Sequence, residues 1–116
     1  MITNKSELVM GKKYYVLHIY KMNAYWADMH SLKYSHVLHY KELVYKGEFE
    51  NRLVFRTSMG DDHYPASLKE QFRNLEFYDS KEETFRRMAG VSPYTEMNRI
   101  PVSKKWLMKK YPEELI

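Results

Sequence analysis

The sequence predicts an α+β, β-rich fold: a small antiparallel sheet of about five strands, or a partly open SH3-like or OB-like barrel, with one or two short helices. Three observations carry that expectation. Strand-length runs of β-branched and aromatic residues recur through the first two-thirds of the chain, helix start and stop signals cluster in its last third, and tyrosine supplies 11 aromatic residues against 5 Phe and 2 Trp. Tyrosine suits a pleated, half-buried surface, because its ring can be covered while its hydroxyl stays wet.

The clearest strand covers residues 13–20 and is introduced by Gly11. Tyr15, Leu17 and Ile19 alternate with Tyr14, Val16, His18 and Tyr20 along it. The first set is apolar at its centre and is the expected core face, which puts His18 on the wetter side. Two further β-prone runs, about 34–46 and 52–58, read as a hairpin that turns at Lys46, Gly47 and Glu48 or at Glu50 and Asn51. Met59, Gly60, Asp61 and Asp62 form the next expected turn, since glycine accepts positive φ and aspartate bonds its own backbone. Pro65 pushes a short strand over 63–68 to a sheet edge, where it could pair two copies of the chain. Residues 75–78 make a further strand with Leu75 and Phe77 on one face.

Residues 80–90 carry a complete short-helix signal. Ser80 and Glu83 form an S-x-x-E capping box, Arg86 and Arg87 sit near the negative end of the dipole, and Gly90 fits the left-handed stop. Glu82 with Arg86 and Glu83 with Arg87 are pairs four residues apart in the favourable order. Phe85, Met88 and Ala89 form the stripe expected to lie on the sheet. A second helix begins at Ser103, a good N-cap, and ends before Pro112. At about 100° per residue, Leu107, Met108 and Tyr111 share one side, which leaves Trp106 outside the packing stripe between Lys109 and Lys110. A large aromatic flanked by ammonium groups reads as an exposed anchor.

A chain of 116 residues buries roughly two-thirds of its unfolded surface, enough for one domain over 1–116 without covalent staples. The absence of cysteine excludes disulfides, thiolate metal sites and cysteine nucleophiles. No run has signal-peptide or membrane-span character, so the expected compartment is cytoplasmic. The net charge of +4 conceals a basic half at 1–58, an acidic middle at 59–96 and a basic end. Such segregation attracts phosphates or acidic protein surfaces.

Catalytic chemistry finds little support. His18, His30, His36 and His39 are close in sequence, but on a strand His36 and His39 point to opposite faces, and no adjacent carboxylate completes a ligand set. A His39 lying across the sheet from His18 would strengthen the case for a metal. Asp61, Asp62 and His63 with Glu76 or Asp79 could hold Mg²⁺ in principle, yet a turn accounts for them. Serine-hydrolase, P-loop and dinucleotide fingerprints are absent. No cofactor, metal or catalytic residue is therefore expected. The residual enzymatic reading is a small nuclease or hydrolase built on a histidine pair with lysine, with His39 and His63 as its candidates.

The expected function is a small non-enzymatic binding or regulatory protein. Tyr25, Trp26 and Trp106 serve as anchors, while Lys104, Lys105, Lys109 and Lys110 steer an acidic protein partner. In general style the chain resembles the small accessory proteins encoded by bacteriophages and other mobile elements, including inhibitors of host defence. That resemblance implies a host or defence protein as partner and carries no residues over. The alternative is a nucleic-acid-binding small β-barrel, in which lysines contact phosphate and Tyr25, Trp26 or Trp106 stack on bases.

Overall fold

The computed structural model describes residues 1–21, 34–70, 74–89 and 99–112. Among them, six antiparallel strands form one sheet: β1 (Lys13–Lys21), β2 (Tyr34–Phe49), β3 (Arg52–Thr57), β4 (Gly60–Pro65), β5 (Asn74–Tyr78) and β6 (Arg99–Ser103). The order is β4-β3-β2-β1-β5, with β6 beside β2. Two helices, α1 (Lys81–Arg87) and α2 (Lys104–Lys110), follow β5 and β6, and a 3-10 turn (Lys5–Glu7) precedes β1. No helix among the described residues is long and apolar enough to cross a membrane.

The 16 residues of β2 organise this sheet. Straight, they would span about 50 Å, whereas the molecule is 41 Å along its longest axis. β2 therefore bends, and its register slips in two places, between Tyr34 and His36 against β6 and between Tyr45 and Gly47 against β3. One edge of β2 pairs with β1 over 36–44. The other is shared: β6 takes 34–39 and β3 takes 44–49, so that among the described residues 40–43 have no partner strand on this edge.

β1 is buried on both faces, which corrects the expectation of a wet side: His18 is 2% exposed. Tyr14 and Val16 join Leu43, Tyr45, Leu53, Phe55, Tyr64 and Phe77 in one core. Leu17 and Ile19 join Leu38, Tyr78, Val102, Leu107 and Tyr111 in a second, on the face that carries the helices. Two-sided burial suits a central strand rich in β-branched and aromatic residues. In the first core, Phe77 of β5 lies 5.8 Å from the ring of Phe55 and 5.3 Å from that of Tyr64, although β5 and β4 end opposite sides of the sheet order. The sheet thus rolls around these rings without closing, and the open arrangement prevails over the barrel. Leu68 enters the same core with a φ of +61°, a strained conformation for a residue with a side chain.

Both hairpins turn in two residues. Glu50 and Asn51 have positive φ, as the twist of a tight hairpin requires. Gly47, the other expected turn, instead sits at the β2 bulge. The second turn is Ser58 and Met59, with Asp61 and Asp62 already inside β4, a correction of about two residues. The Thr57 hydroxyl supplies the local logic by accepting from Met59 N–H and donating to Gly60 C=O. β4 is an edge strand, ending at Pro65 as its missing N–H favours.

Phe77→Ala should lower stability by about 3–4 kcal/mol, because it removes the ring where the two ends of the rolled sheet meet. Urea denaturation measures this; a loss below about 1 kcal/mol would show that the curl does not depend on that contact.

Candidate functional site

At the gap in β2 a cleft of about 720 Å³ opens, lined by His39, Tyr40, Lys41 and Glu42 of β2, Lys13 of β1, and the β3–β4 hairpin from Arg56 to Met59 with Asp62. Strand alternation determines which main-chain groups face it. Tyr45 bonds toward the β1 side, its N–H to Lys12 C=O at 3.0 Å and its C=O to Gly11 N–H at 2.8 Å. The opposite sheet edge agrees, since Phe77 C=O points away from β1 to accept from Ile2 N–H at 2.6 Å. The odd-numbered residues of β2 near the gap therefore address β1, and the N–H and C=O groups of Tyr40 and Glu42 point into the gap.

On the rolled face, a chain of polar groups leads from the cleft to the interior. Lys41 Nζ donates to Asp62 Oδ2 at 2.7 Å, and the Tyr64 hydroxyl donates to the same oxygen at 3.2 Å. That hydroxyl lies 3.1 Å from His18 Nε2. His18 and His39 are cross-strand partners with ring centroids 5.6 Å apart, the juxtaposition that would strengthen the case for a metal. Among the described residues no group of three or more His, Asp or Glu side chains is arranged to hold a metal ion. His36 faces away from His39, as alternation requires.

The helix-bearing face carries the aromatic part of the site. The rings of Tyr15 and Tyr40 stack at 6.4 Å, and Tyr40 touches Phe85 of α1 at 5.7 Å. Phe85 is 48% exposed, so it rests on the sheet with only part of its ring, a partial correction of the expected stripe. Glu42 organises the charges here: it accepts from the Tyr40 hydroxyl at 2.9 Å and pairs with Lys81 at 3.3 Å and Lys13 at 3.8 Å. The tyrosine hydrogen bond and both ammonium groups hold its carboxyl below the ordinary range, while partial burial and that same bond push the Tyr40 phenol up. Arg56, exposed at the cleft wall opposite Val44, has no ion pair among the described residues.

A second polar cluster anchors the helices that frame this face. Glu76 of β5, 7% exposed, accepts from the hydroxyls of Tyr78 at 2.6 Å and Tyr111 at 2.7 Å and from Arg87 through Nε at 3.0 Å and Nη2 at 2.9 Å. The Arg87 guanidinium also covers the Tyr111 ring at 4.2 Å. Burial pushes the Glu76 carboxyl up, but its four donors outweigh this and hold it below the usual carboxylate value. Arg87 is thus drawn to Glu76 and away from the expected pair with Glu83, whose carboxylate instead meets the amino terminus at 3.0 Å. Ser80 still caps α1 by accepting from Glu83 N–H at 3.2 Å.

The carboxyl-terminal anchor is overturned. Trp106 is 7% exposed, packs on Tyr111 at 5.6 Å and donates its indole N–H to Ala89 C=O at 2.9 Å. The buried side of α2 is Trp106, Leu107 and Tyr111, a spacing of one and four residues that makes an equally good stripe, and Met108 is the residue left in water. Ser103 caps α2 as expected. Lys105 and Lys109 are exposed, Lys110 is half-buried, and Lys104 opens the helix. Tyr25 and Trp26 lie outside the described residues. Asp62 and Glu76 face opposite sides of the sheet and Asp79 pairs with Lys12, so the proposed acidic cluster does not assemble.

Glu76→Gln should cost about 3 kcal/mol at pH 7, because it leaves Arg87 half-buried without its partner. The sign with pH follows from the lowered carboxyl: its stabilisation is complete above the unfolded value of about 4.3 and is lost as pH falls through the folded value. The gap between wild type and variant should accordingly narrow below about pH 4 in urea titrations; a constant gap would contradict the ionic role. No protein-family model, curated protein or solved structure matches the chain.

Proposed function

We propose that this chain is a small non-enzymatic binding protein that engages another protein through the surface around the gap in β2. The observation that carries this reading is the grouping of half-exposed aromatic rings, Tyr15, Tyr40 and Phe85, beside a cleft whose lining carries the charges of Lys13, Lys41, Glu42, Arg56 and Asp62. Met59, 95% exposed at the hairpin tip, adds an adaptable apolar contact at its border. Aromatic and methionine side chains at the centre with charges around them is the usual composition of a protein interface.

His39 lines the cleft, whereas His18 is buried behind Tyr64, so of this histidine pair His39 is the member that a bound partner meets. A regulator or inhibitor acting on a host or defence protein is the form of this function that we propose.

Nucleic-acid binding is the second reading. It draws on α2, which presents Lys105 and Lys109 to solvent with no ion pair among the described residues. It loses its stacking partner there, because Trp106 faces the core.

Affinity capture from a bacterial lysate, with and without nuclease, separates the two. A protein retained in stoichiometric amount after nuclease, and reduced about tenfold by Phe85→Ser combined with Arg56→Glu, is the expected result. Bound material that disappears with nuclease, or capture indifferent to both substitutions, would overturn the proposal.

A further inference from the structure

We infer that α1 and α2 open and close as one unit, separately from the rolled half of the sheet, so that Phe85 at the cleft is coupled to Trp106 and Tyr111. This coupling goes beyond the binding reading and does not depend on it. Helix length comes first. Each helix has seven residues, too few to stay helical away from the sheet, so docking and helix formation are a single event for each. Side-chain contacts then join the two events. The Trp106 indole N–H donates to Ala89 C=O at 2.9 Å, just past the end of α1. Arg87 Nε donates to the Tyr111 hydroxyl at 3.0 Å, and the guanidinium covers that ring at 4.2 Å. Glu76 accepts from Arg87 of α1 and from Tyr111 at the end of α2.

Opening one helix alone is disfavoured by what it strands. With α1 released, the Trp106 indole N–H stays in the core without its acceptor, and Glu76 keeps its charge without Arg87. With α2 released, Glu76 and Arg87 lose the Tyr111 hydroxyl, and the ring that covers the guanidinium goes with it. A buried polar group deprived of its partner pays its full desolvation, whereas joint departure returns these groups to water together. The rolled half has no such tie. Its core holds Tyr14, Val16, Phe55, Tyr64 and Phe77 with their strand neighbours, and among the described residues no side chain of α1 or α2 belongs to it. The helical layer supplies Met88, Trp106, Leu107 and Tyr111 to the other core instead. Phe85 extends the unit to the cleft, because it rides on α1 and meets Tyr40 at 5.7 Å. The coupling is reciprocal: whatever holds Phe85 against the sheet also holds α2, and whatever loosens α2 frees Phe85.

The test uses the full chain, labelled with ¹⁵N, and native-state hydrogen exchange. The reporters are the Met88 N–H, bonded to Thr84 C=O at the end of α1, and the Tyr111 N–H, bonded to Leu107 C=O at the end of α2. Each helix is perturbed at its own cap: Ser80→Ala removes the acceptor of Glu83 N–H in α1, and Ser103→Ala removes that of Trp106 N–H in α2. Either substitution should speed exchange about fivefold at both reporters, the near one and the far one alike. Phe55→Leu, in the rolled core, should speed exchange in β3 and β4 and leave both reporters unchanged. Acceleration confined to the helix that carries the substitution would mean two independent openings and would overturn the inference. Acceleration of the reporters by Phe55→Leu would overturn it as well, since the helices would then open only when the whole chain unfolds.

Discussion

The structure depends on the length of one strand. β2 pairs along its whole central part with β1, whereas among the described residues β3 and β6 each follow only one end of it. Two short strands therefore divide its second edge, and among the described residues a gap separates them. The bend that a 16-residue strand needs within a 41 Å molecule is taken up at the two register shifts, which flank that gap. Bulges of this kind raise local twist and re-aim side chains. Here they carry β3 and β4 over the rolled face while β6 stays beside the helices.

Each half of the sheet then solves its own burial problem. The rolled face covers itself with the rings of Phe55, Tyr64 and Phe77, helped by Ile2, Leu8 and the strained Leu68. The other face needs helices, and both are tied to β5 by one carboxylate: Arg87 of α1 and Tyr111 at the end of α2 converge on Glu76. A buried charge is costly unless its lone pairs are filled, and here four donors fill them. Because α1 is fixed in this way, Phe85 is held against Tyr40, and the aromatic border of the cleft follows from a contact on the far side of the helix.

Much of this was legible from the sequence and some was not, for physical reasons. The hairpin between β2 and β3, the edge position of β4 and both serine caps follow from local chemistry and were readable. His18 was misread because alternation assumes one wet face, whereas a central strand has none. β6 escaped notice since Pro101 in a five-residue run argues against a strand until a long neighbour offers an edge. Trp106 went wrong through stripe geometry: two overlapping stripes on α2 are equally periodic, and packing against Tyr111 and Ala89 decides between them. The cleft itself had no local signal, since it arises from where two strands stop.

The most direct measurement is amide hydrogen exchange on the free protein, residue by residue along β2. If the gap exists, Tyr40 and Glu42 exchange orders of magnitude faster than Leu38 and Val44 on the same edge and than Lys41 and Leu43 bonded to β1. Uniform protection from residue 38 to residue 44 would mean that the edge is continuously paired, and the site described above would not exist.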